Sequence, residues 1–366
     1  MRYLFLPISL FLFAFCASAQ DVEVVKTPFA WLNVKNDKRF IEDHTRKLTV
    51  RLFTNTKFSR YVIGRNGNGE KLPYNTNDHV SLGAGFNWRF IGANIGFKMP
   101  FVNNDYRRFG RTSSFDLQSF LYFRKLQVDV YVQAHNGLYV AQRNVLLRPR
   151  LTDTFPYRPD LKTRNYGVNA QYIFNNRRFS YRAAFVQNEY QKKSAGSFIV
   201  GAAVYHFRAS ADSAIIPRDI RYPGEFWREG FDHSHVTSLS VNAGYAYTLV
   251  VAKHFFATGS FTAGPGLNYT FRRDGAIPRQ KGGLDYQLNG TLRLAAGYNS
   301  PEYYAGVQYI RLTNKNGISD PATWQQFEAG TFRVTVAKRF KLNRKLEKKI
   351  LNAVESVKDG VEEVIR

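Results

Sequence analysis

The stretch VSLGAGFNWRF at residues 80–90 decides the fold of this protein. Every even-numbered residue from Val80 to Phe90 is apolar, and every residue between them is polar or glycine. Because successive side chains of a β-strand point to opposite faces, this period of two predicts an amphipathic strand. After a tight turn near 91–92 the alternation resumes from Ala93 to Met99 in the opposite phase, which predicts a hairpin.

The same alternation recurs along most of the chain. It predicts further strands at 47–58, 115–123, 126–134, 166–174, 179–185, 239–249, 255–263, 287–298, 303–310 and 331–340. The apolar segment from Phe198 to Phe207 is either a membrane strand or part of a folded outer loop. If it is a strand, another strand is required between 209 and 235, because bacterial barrels have an even number of strands. The predicted number is therefore 12 strands, with 14 as the alternative.

A soluble β-sandwich also alternates, so three further features decide between the two architectures. The strands run to about 10–13 residues, which exceeds the usual ~5–6 and matches the ~9–11 tilted residues that cross a bilayer. The polar faces carry glycine, amides and charges together, which suits a lumen, and aromatic residues gather near strand ends. Closure also removes sheet edges that lipid cannot hydrate. We predict an all-β, transmembrane antiparallel β-barrel over residues 47–340.

The two ends of the chain have a different character. Residues 1–19 carry one positive charge, an apolar run and a terminal Ala-Ser-Ala, which is typical of a cleaved signal peptide. Residues 20–46 are then a periplasmic lead-in. Residues 341–366 repeat apolar side chains at three- and four-residue spacing, which predicts an amphipathic periplasmic helix or a frayed tail. Export and a barrel together place the protein in the cell outer membrane.

Connection lengths predict which rim faces which compartment. The turns near 91, 124, 176, 251 and 300 are short, whereas the connections at 63–79, 102–113, 140–163, 264–286 and 312–326 are long. Bacterial barrels have short periplasmic turns and long outer loops, so both termini are expected in the periplasm.

Composition excludes several classes of protein. Aromatic residues make up 16% of the chain, which argues against disorder, and a single cysteine excludes a disulfide scaffold. The net charge is +24. In an exported protein this charge favours outer-membrane lipids and lipopolysaccharide as partners rather than nucleic acid. The barrel-assembly machinery and, through the C-terminal helix, a periplasmic protein are the other expected partners.

Motifs for catalysis are weak. The sequence has no cysteine pair, no His-x-x-x-His cluster and no Gly-x-Ser-x-Gly elbow, so no cofactor, no metal and no catalytic residue is predicted. His233, Ser234 and His235 resemble parts of a hydrolase site at the outer lipid boundary. Adjacent residues of a strand point to opposite faces, however, so Ser234 and a neighbouring histidine do not easily meet.

The polar strand faces supply the candidate site. The predicted lumen-lining residues are Asn87, Arg89, Asn94, Lys98, Gln127, Asp129, Gln133, His135, Asn169, Gln171, Arg182, Asn242 and Arg333. In an open lumen they form a cation-rich wall that favours anions, and in a closed lumen they hydrogen-bond one another. Passage or binding of a small solute is the first functional hypothesis. An outer-membrane lipid hydrolase or acyltransferase, and a sealed structural barrel with a periplasmic partner, are the alternatives.

Three segments carry a resemblance to a known family. They are QKKSAGSF at 191–198, DSAIIP at 212–217 and GYAY at 244–247. With these segments the chain resembles a family of uncharacterised outer-membrane β-barrels from Bacteroidota, grouped as a domain of unknown function. The resemblance implies location and architecture but no substrate. Many barrels end on a C-terminal aromatic residue that the assembly machinery reads, whereas here Phe340 would have that role internally.

Overall fold

The structure is a computed structural model that describes residues 34–65, 70–77, 79–88, 91–99, 102, 105–142, 154–217, 230–274, 280–317 and 323–343. The predicted signal peptide and residues 344–366 of the predicted tail lie outside this part of the chain. In the described residues, no helix combines the length and apolar character needed to cross a membrane.

The described chain consists almost entirely of strands. They are β1 (Ile41–Asp43), β2 (Leu48–Gly64), β3 (Lys71–Asn75), β4 (Val80–Trp88), β5 (Ile91–Lys98), β6 (Ser113–Tyr122), β7 (Leu126–Val140), β8 (Tyr157–Ile173), β9 (Glu189–Gln191), β10 (Ala195–Ser210), β11 (Phe231–Val251), β12 (Phe255–Asp274), β13 (Gln280–Asn299), β14 (Tyr303–Asn316) and β15 (Trp324–Phe340). Two short helices are α1 (Tyr106–Phe109) and α2 (Tyr181–Phe185).

Antiparallel pairing closes the sheet into a barrel. Ten strands form the ring in the order β15-β14-β13-β12-β11-β10-β8-β7-β3-β2, and β15 pairs with β2 to close it. Three more strands lie beside the ring: the hairpin β4–β5 pairs with the first half of β2, and β6 pairs with β7. The predicted all-β antiparallel barrel is therefore confirmed, with ten strands in the ring and three outside it.

Exposure of the strands is inverted relative to a soluble protein. Along β11, Leu239 and Val241 are about 60% exposed on the outer face, whereas Ser240 and Asn242 are buried inside. The same alternation of exposed apolar and buried polar residues runs through β8, β10 and β12. An apolar outer belt around a polar interior is the surface that a bilayer covers.

The two rims of the barrel differ. Leu48 pairs with Phe340, so both ends of the barrel segment lie at one rim, which we call the near rim. The turns after β6, β11 and β13 lie there and are three residues long. Several strands continue past their predicted ends toward the far rim. Residues 264–286 were expected to form a loop, but β12 and β13 run through most of them and pair from Phe255–Tyr298 to Arg273–Gln280.

Two predicted segments need correction. The strand expected at 179–185 is wrong, because Ser180 caps the short helix α2 by accepting a hydrogen bond from Ala183 N at 3.1 Å. The chain does turn near 176, where the backbone N–H groups of Arg178 and Phe179 donate to the carbonyl of Asn175, but this turn leads into an inward-folded segment and not into the next strand of the wall. The apolar segment Phe198–Phe207, by contrast, belongs to the ring strand β10.

Candidate functional site

The near half of the lumen is filled by residues 175–191, which we call the plug. All five residues of α2 are buried. The Tyr304 hydroxyl and the Gln308 amide of β14 both donate to the carbonyl of Ala184, at 2.8 and 2.7 Å. The hydroxyl of Tyr181 lies 2.6 Å from that of Ser260 on β12. The plug is thus hydrogen-bonded to the inner wall of the barrel.

A buried carboxylate stabilises the plug. Glu189 is fully buried and lies 2.8 Å from Arg124 and 3.3 Å from Arg182, and Ser180 donates a hydrogen bond to it. Buried charges require such partners. Arg182, which the sequence assigned to the lumen face of a strand, therefore points inward from a helix and serves the plug.

The predicted lead-in supports the plug from the near rim. Its strand β1 pairs with β9, and His44 N donates to the carbonyl of Asn188 at 3.0 Å. Burial, reinforced by the charges of Arg339 and Lys47, lowers the pKa of His44 to about 3. His44 is therefore neutral at physiological pH in the folded protein.

A polar layer crosses the middle of the lumen. Asp129 of β7 and Arg293 of β13 form an ion pair in which both side chains are fully buried. Asn169 donates to the same carboxylate at 3.1 Å, and Gln171 accepts from Arg293 at 3.1 Å. Gln171 also donates to Asn242 at 2.9 Å. In the described residues these side chains form a continuous hydrogen-bonded network, which is the arrangement expected of a closed lumen.

The far half of the lumen holds an apolar cluster. Its largest members are Tyr61, Tyr74, Tyr131, Tyr205 and Phe207. Ile215 and Ile216, from the connection after β10, join the cluster, and Tyr74 donates a hydrogen bond to the carbonyl of Ile215. Plug, polar layer and apolar cluster together fill the lumen from rim to rim in the part of the chain that the structure describes.

A cavity of about 270 Å³ lies between the plug and the strands β2, β4, β5, β6, β14 and β15. We call it the side pocket. Its polar wall contains Arg51 and Lys57 of β2, Arg333 of β15, and amides that include Asn94 of β5. Its apolar wall consists of Phe120, Leu121 and Tyr122 of β6, Phe123 of the turn that follows, Phe185 of the plug and Ile310 of β14.

The side pocket has more positive than negative charge. Lys57 donates to the carbonyl of Asp116 at 2.7 Å and lies 3.8 Å from its carboxylate. Arg51 donates to Gln187 at 2.8 Å, and the Arg333 guanidinium lies 4.5 Å from the ring centre of Phe53. Within the described residues, neither arginine has a carboxylate within 4 Å. The pocket wall therefore carries an excess of positive charge, which a bound anion would neutralise.

The sequence-predicted lumen residues separate into distinct groups. Gln127, Asp129, Asn169, Gln171 and Asn242 meet in the polar layer, while Gln133 and His135 are buried farther along β7. Asn87, Asn94 and Arg333 line the side pocket, and Asn87 also donates to Val186 at 2.9 Å. Lys98 lies exposed on β5, and Arg89 lies outside the described residues.

Three important residues were not among the predicted ones. Arg293 alternates with Leu292 and Leu294 on a predicted strand, so the period-two pattern alone could have identified it. Arg51 and Lys57 lie on the first predicted strand, where the alternation is noisier because the inward face also carries Phe53.

The geometry around Ser234 does not suit a hydrolase. Its hydroxyl is fully buried and donates to Gln325 at 2.8 Å. His233 lies 2.8 Å from Asp232, and the ring of His235 contacts those of His206 and Phe271. The serine and the histidines are thus on opposite faces of β11, and the hydroxyl is engaged by an amide instead of a base. Among the described residues, no group of three His, Asp or Glu side chains is placed to hold a metal.

In the part of the chain that the structure describes, fold and site define a membrane-type β-barrel with side chains packed across its lumen and a basic pocket in its wall. The chain belongs to the family described as "Domain of unknown function (DUF4421)", whose family model matches residues 35–340. A comparison with curated proteins gives no match.

Several solved structures are similar at low scores. The toluene transporter TodX of P. putida is 6% identical, with 81% of this chain and 91% of that chain covered and a TM-score of 0.21. Pseudomonas aeruginosa OpdQ is 7% identical over 80% and 97%, also with a TM-score of 0.21. An anion-selective porin from Comamonas acidovorans is 9% identical over 80% and 100%, with a TM-score of 0.15. Similarity at this level carries no functional argument, so function is argued from the geometry.

Proposed function

We propose that this protein is an outer-membrane β-barrel that binds a small anionic solute in its side pocket and does not act as an open pore. The observation that carries the proposal is the charge of the pocket wall. Three cations face the cavity, and the described residues supply one carboxylate, Asp116, beside Lys57. A buried positive charge is costly unless an anion compensates it, so the pocket favours anionic occupants.

The filled lumen argues against free passage. The plug is hydrogen-bonded to β2, β4, β12 and β14, and the Asp129–Arg293 layer lies beyond it. Wide porin channels, by contrast, keep a water-filled interior. In planar bilayers the purified protein should therefore show no stepwise conductance. Regular conductance steps in the unmodified protein would contradict the proposal.

Anion binding is tested with the full-length protein in detergent. Isotopically labelled acetate and inorganic phosphate are titrated, and the Arg333→Gln variant should lose about ten-fold in affinity, which corresponds to ~1.4 kcal/mol. Arg208→Gln is the matched control, because Arg208 lies exposed on the outer face of β10. Binding that is absent, or unchanged by Arg333→Gln, would remove the side pocket as the site.

The filled lumen also favours a second candidate, a sealed structural barrel with a periplasmic partner. β1 and β9 form a small separate sheet at the near rim, where such a partner would bind. Both candidates predict no conductance, but this one also predicts no Arg333-dependent anion binding, so the anion titration separates it from the first.

A further inference from the structure

We propose that the solute of the side pocket is a single-chain anionic amphiphile, a carboxylate or phosphate head on one alkyl chain, which enters sideways from the bilayer between β5 and β6. The inference rests on the proposed function, since it names the class of anion and its route.

The first observation is a seam in the wall. β5 is hydrogen-bonded to β4 and β6 to β7, and no ladder joins β5 to β6 among the described strands. Toward the far rim the seam is bounded by β3, which pairs with β2 and with β7. The opening is therefore a lateral window below β3, flanked by two free strand edges.

The second observation is that the side pocket reaches both faces of β6. Gln118 and Phe120 point inward, whereas Leu121 and Phe123 belong to the outward apolar face. The lining runs without a break from Gln118 to Phe123, so the cavity follows the edge of β6 that has no ladder with β5. The pocket thus lies where the basic interior and the lipid-facing surface meet.

The third observation is the division of the pocket wall. The cationic side chains lie on β2 and β15, while the aromatic and aliphatic side chains follow β6 toward the lipid. A volume of about 270 Å³ is near the lower end of the ~300–1,000 Å³ of ligand pockets. The pocket holds the head group and the first carbons of the amphiphile, and the rest of the alkyl chain extends into the bilayer. This polarity fits an amphiphile better than a fully hydrated anion.

The strands that flank the window are also short. β5 has 8 residues and β6 has 10, whereas β11, β12 and β13 have 20 or 21. Fewer ladder hydrogen bonds hold them, so they open at lower free energy than the rest of the wall.

The test uses full-length protein in phosphatidylcholine nanodiscs and two probes, dodecanoate and acetate, each labelled with ¹³C at the carboxylate. The carboxylate chemical shift separates bound probe from probe dissolved in lipid or water. Dodecanoate should bind at least 100-fold more tightly than acetate, and Arg333→Gln should weaken it about ten-fold. Asn94→Asp is a second variant, because Asn94 is exposed and lines the pocket, so a new carboxylate there repels the anion without disturbing a buried contact.

Lateral access is tested with a cysteine pair across the seam. Phe97→Cys and Phe115→Cys, on exposed side chains of β5 and β6 that do not line the pocket, are joined by a short bismaleimide in a chain whose only native cysteine, Cys16, lies in the predicted signal peptide. The cross-link should lower the dodecanoate binding rate at least ten-fold and leave acetate binding unchanged. The matched control joins Val204→Cys to Leu239→Cys, which are already paired across β10 and β11, and should change neither probe.

The outcomes separate the two proposals. If acetate binds as tightly as dodecanoate and Arg333→Gln weakens both, the anion pocket stands and the amphiphile is refuted. If the cross-linked seam binds dodecanoate at the unmodified rate, the lateral route is refuted. If neither probe shows a component that depends on Arg333 or Asn94, the proposed function itself fails.

Discussion

The buried ion pair at the centre of the barrel gives the sharpest stability prediction. Asp129 and Arg293 are both fully buried, and the carboxylate also accepts hydrogen bonds from the Gln127 and Asn169 amides. Asp129→Asn keeps the shape of the side chain but leaves the guanidinium uncompensated. Breaking such a pair costs about 3–5 kcal/mol because the remaining charge stays buried. We expect the same range for Arg293→Gln, reduced to the extent that Asp129 takes up a proton.

The double variant, with Asp129→Asn and Arg293→Gln together, should be more stable than the sum of the two single losses predicts. Neutral amides leave no unpaired charge, so a coupling of about 2–3 kcal/mol is expected between contacting residues. The measurement is urea unfolding in detergent micelles, followed by tryptophan fluorescence and by heat-modifiable gel mobility, with the m-value checked for each variant. Arg39→Gln removes an exposed ion pair at the lead-in and should leave the midpoint unchanged.

Strictly additive losses, or single losses below about 1 kcal/mol, would refute this reasoning. They would mean that water reaches the polar layer and solvates the charges. The lumen would then not be sealed at its middle, and the argument against an open pore would lose its main support.

Three other perturbations test separate parts of the structure. The pKa of His44 is about 3 in the folded protein and 6.5 in an unfolded chain. The stability that neutral His44 contributes is therefore complete above pH 6.5 and is lost as the pH falls toward 3. Protease cleavage of the lead-in should rise over that window, and His44→Gln should flatten the rise. Glu189→Gln removes the carboxylate that lies 2.8 Å from Arg124 and 3.3 Å from Arg182, so hydrogen exchange of the plug should speed up at unchanged barrel mobility on gels. Gly167→Ala places a methyl group 2.1 Å from the ring of Tyr205 and should destabilise the barrel by about 1–3 kcal/mol, whereas Gly283→Ala, with no neighbour within 4 Å, should be neutral in the same unfolding assay.

The amino-acid sequence by itself determined the architecture, because period-two alternation is a local property of each strand. Leu239 to Leu249 show this most clearly: their alternation predicts an amphipathic strand, and the structure has β11 there with the apolar side outward. The inward direction of Asp129 and Asn242 followed from the same pattern. Alternation shows which side chains share a face of a strand, and it can be read from that strand alone.

The tertiary structure decided which strands pair and which side chains contact one another. Phe179, Tyr181, Ala183 and Phe185 alternate like a membrane strand, yet α2 lies inside the lumen, where both of its sides are buried and no lipid-facing side is needed. Asp129 and Arg293 are 164 residues apart and meet only because the ring closes. The seam between β5 and β6 has no local signature, since a free edge and a paired edge carry the same side-chain pattern. Strand pairing depends on hydrogen bonds between residues that are far apart in the sequence, and the alternation within one strand does not determine it.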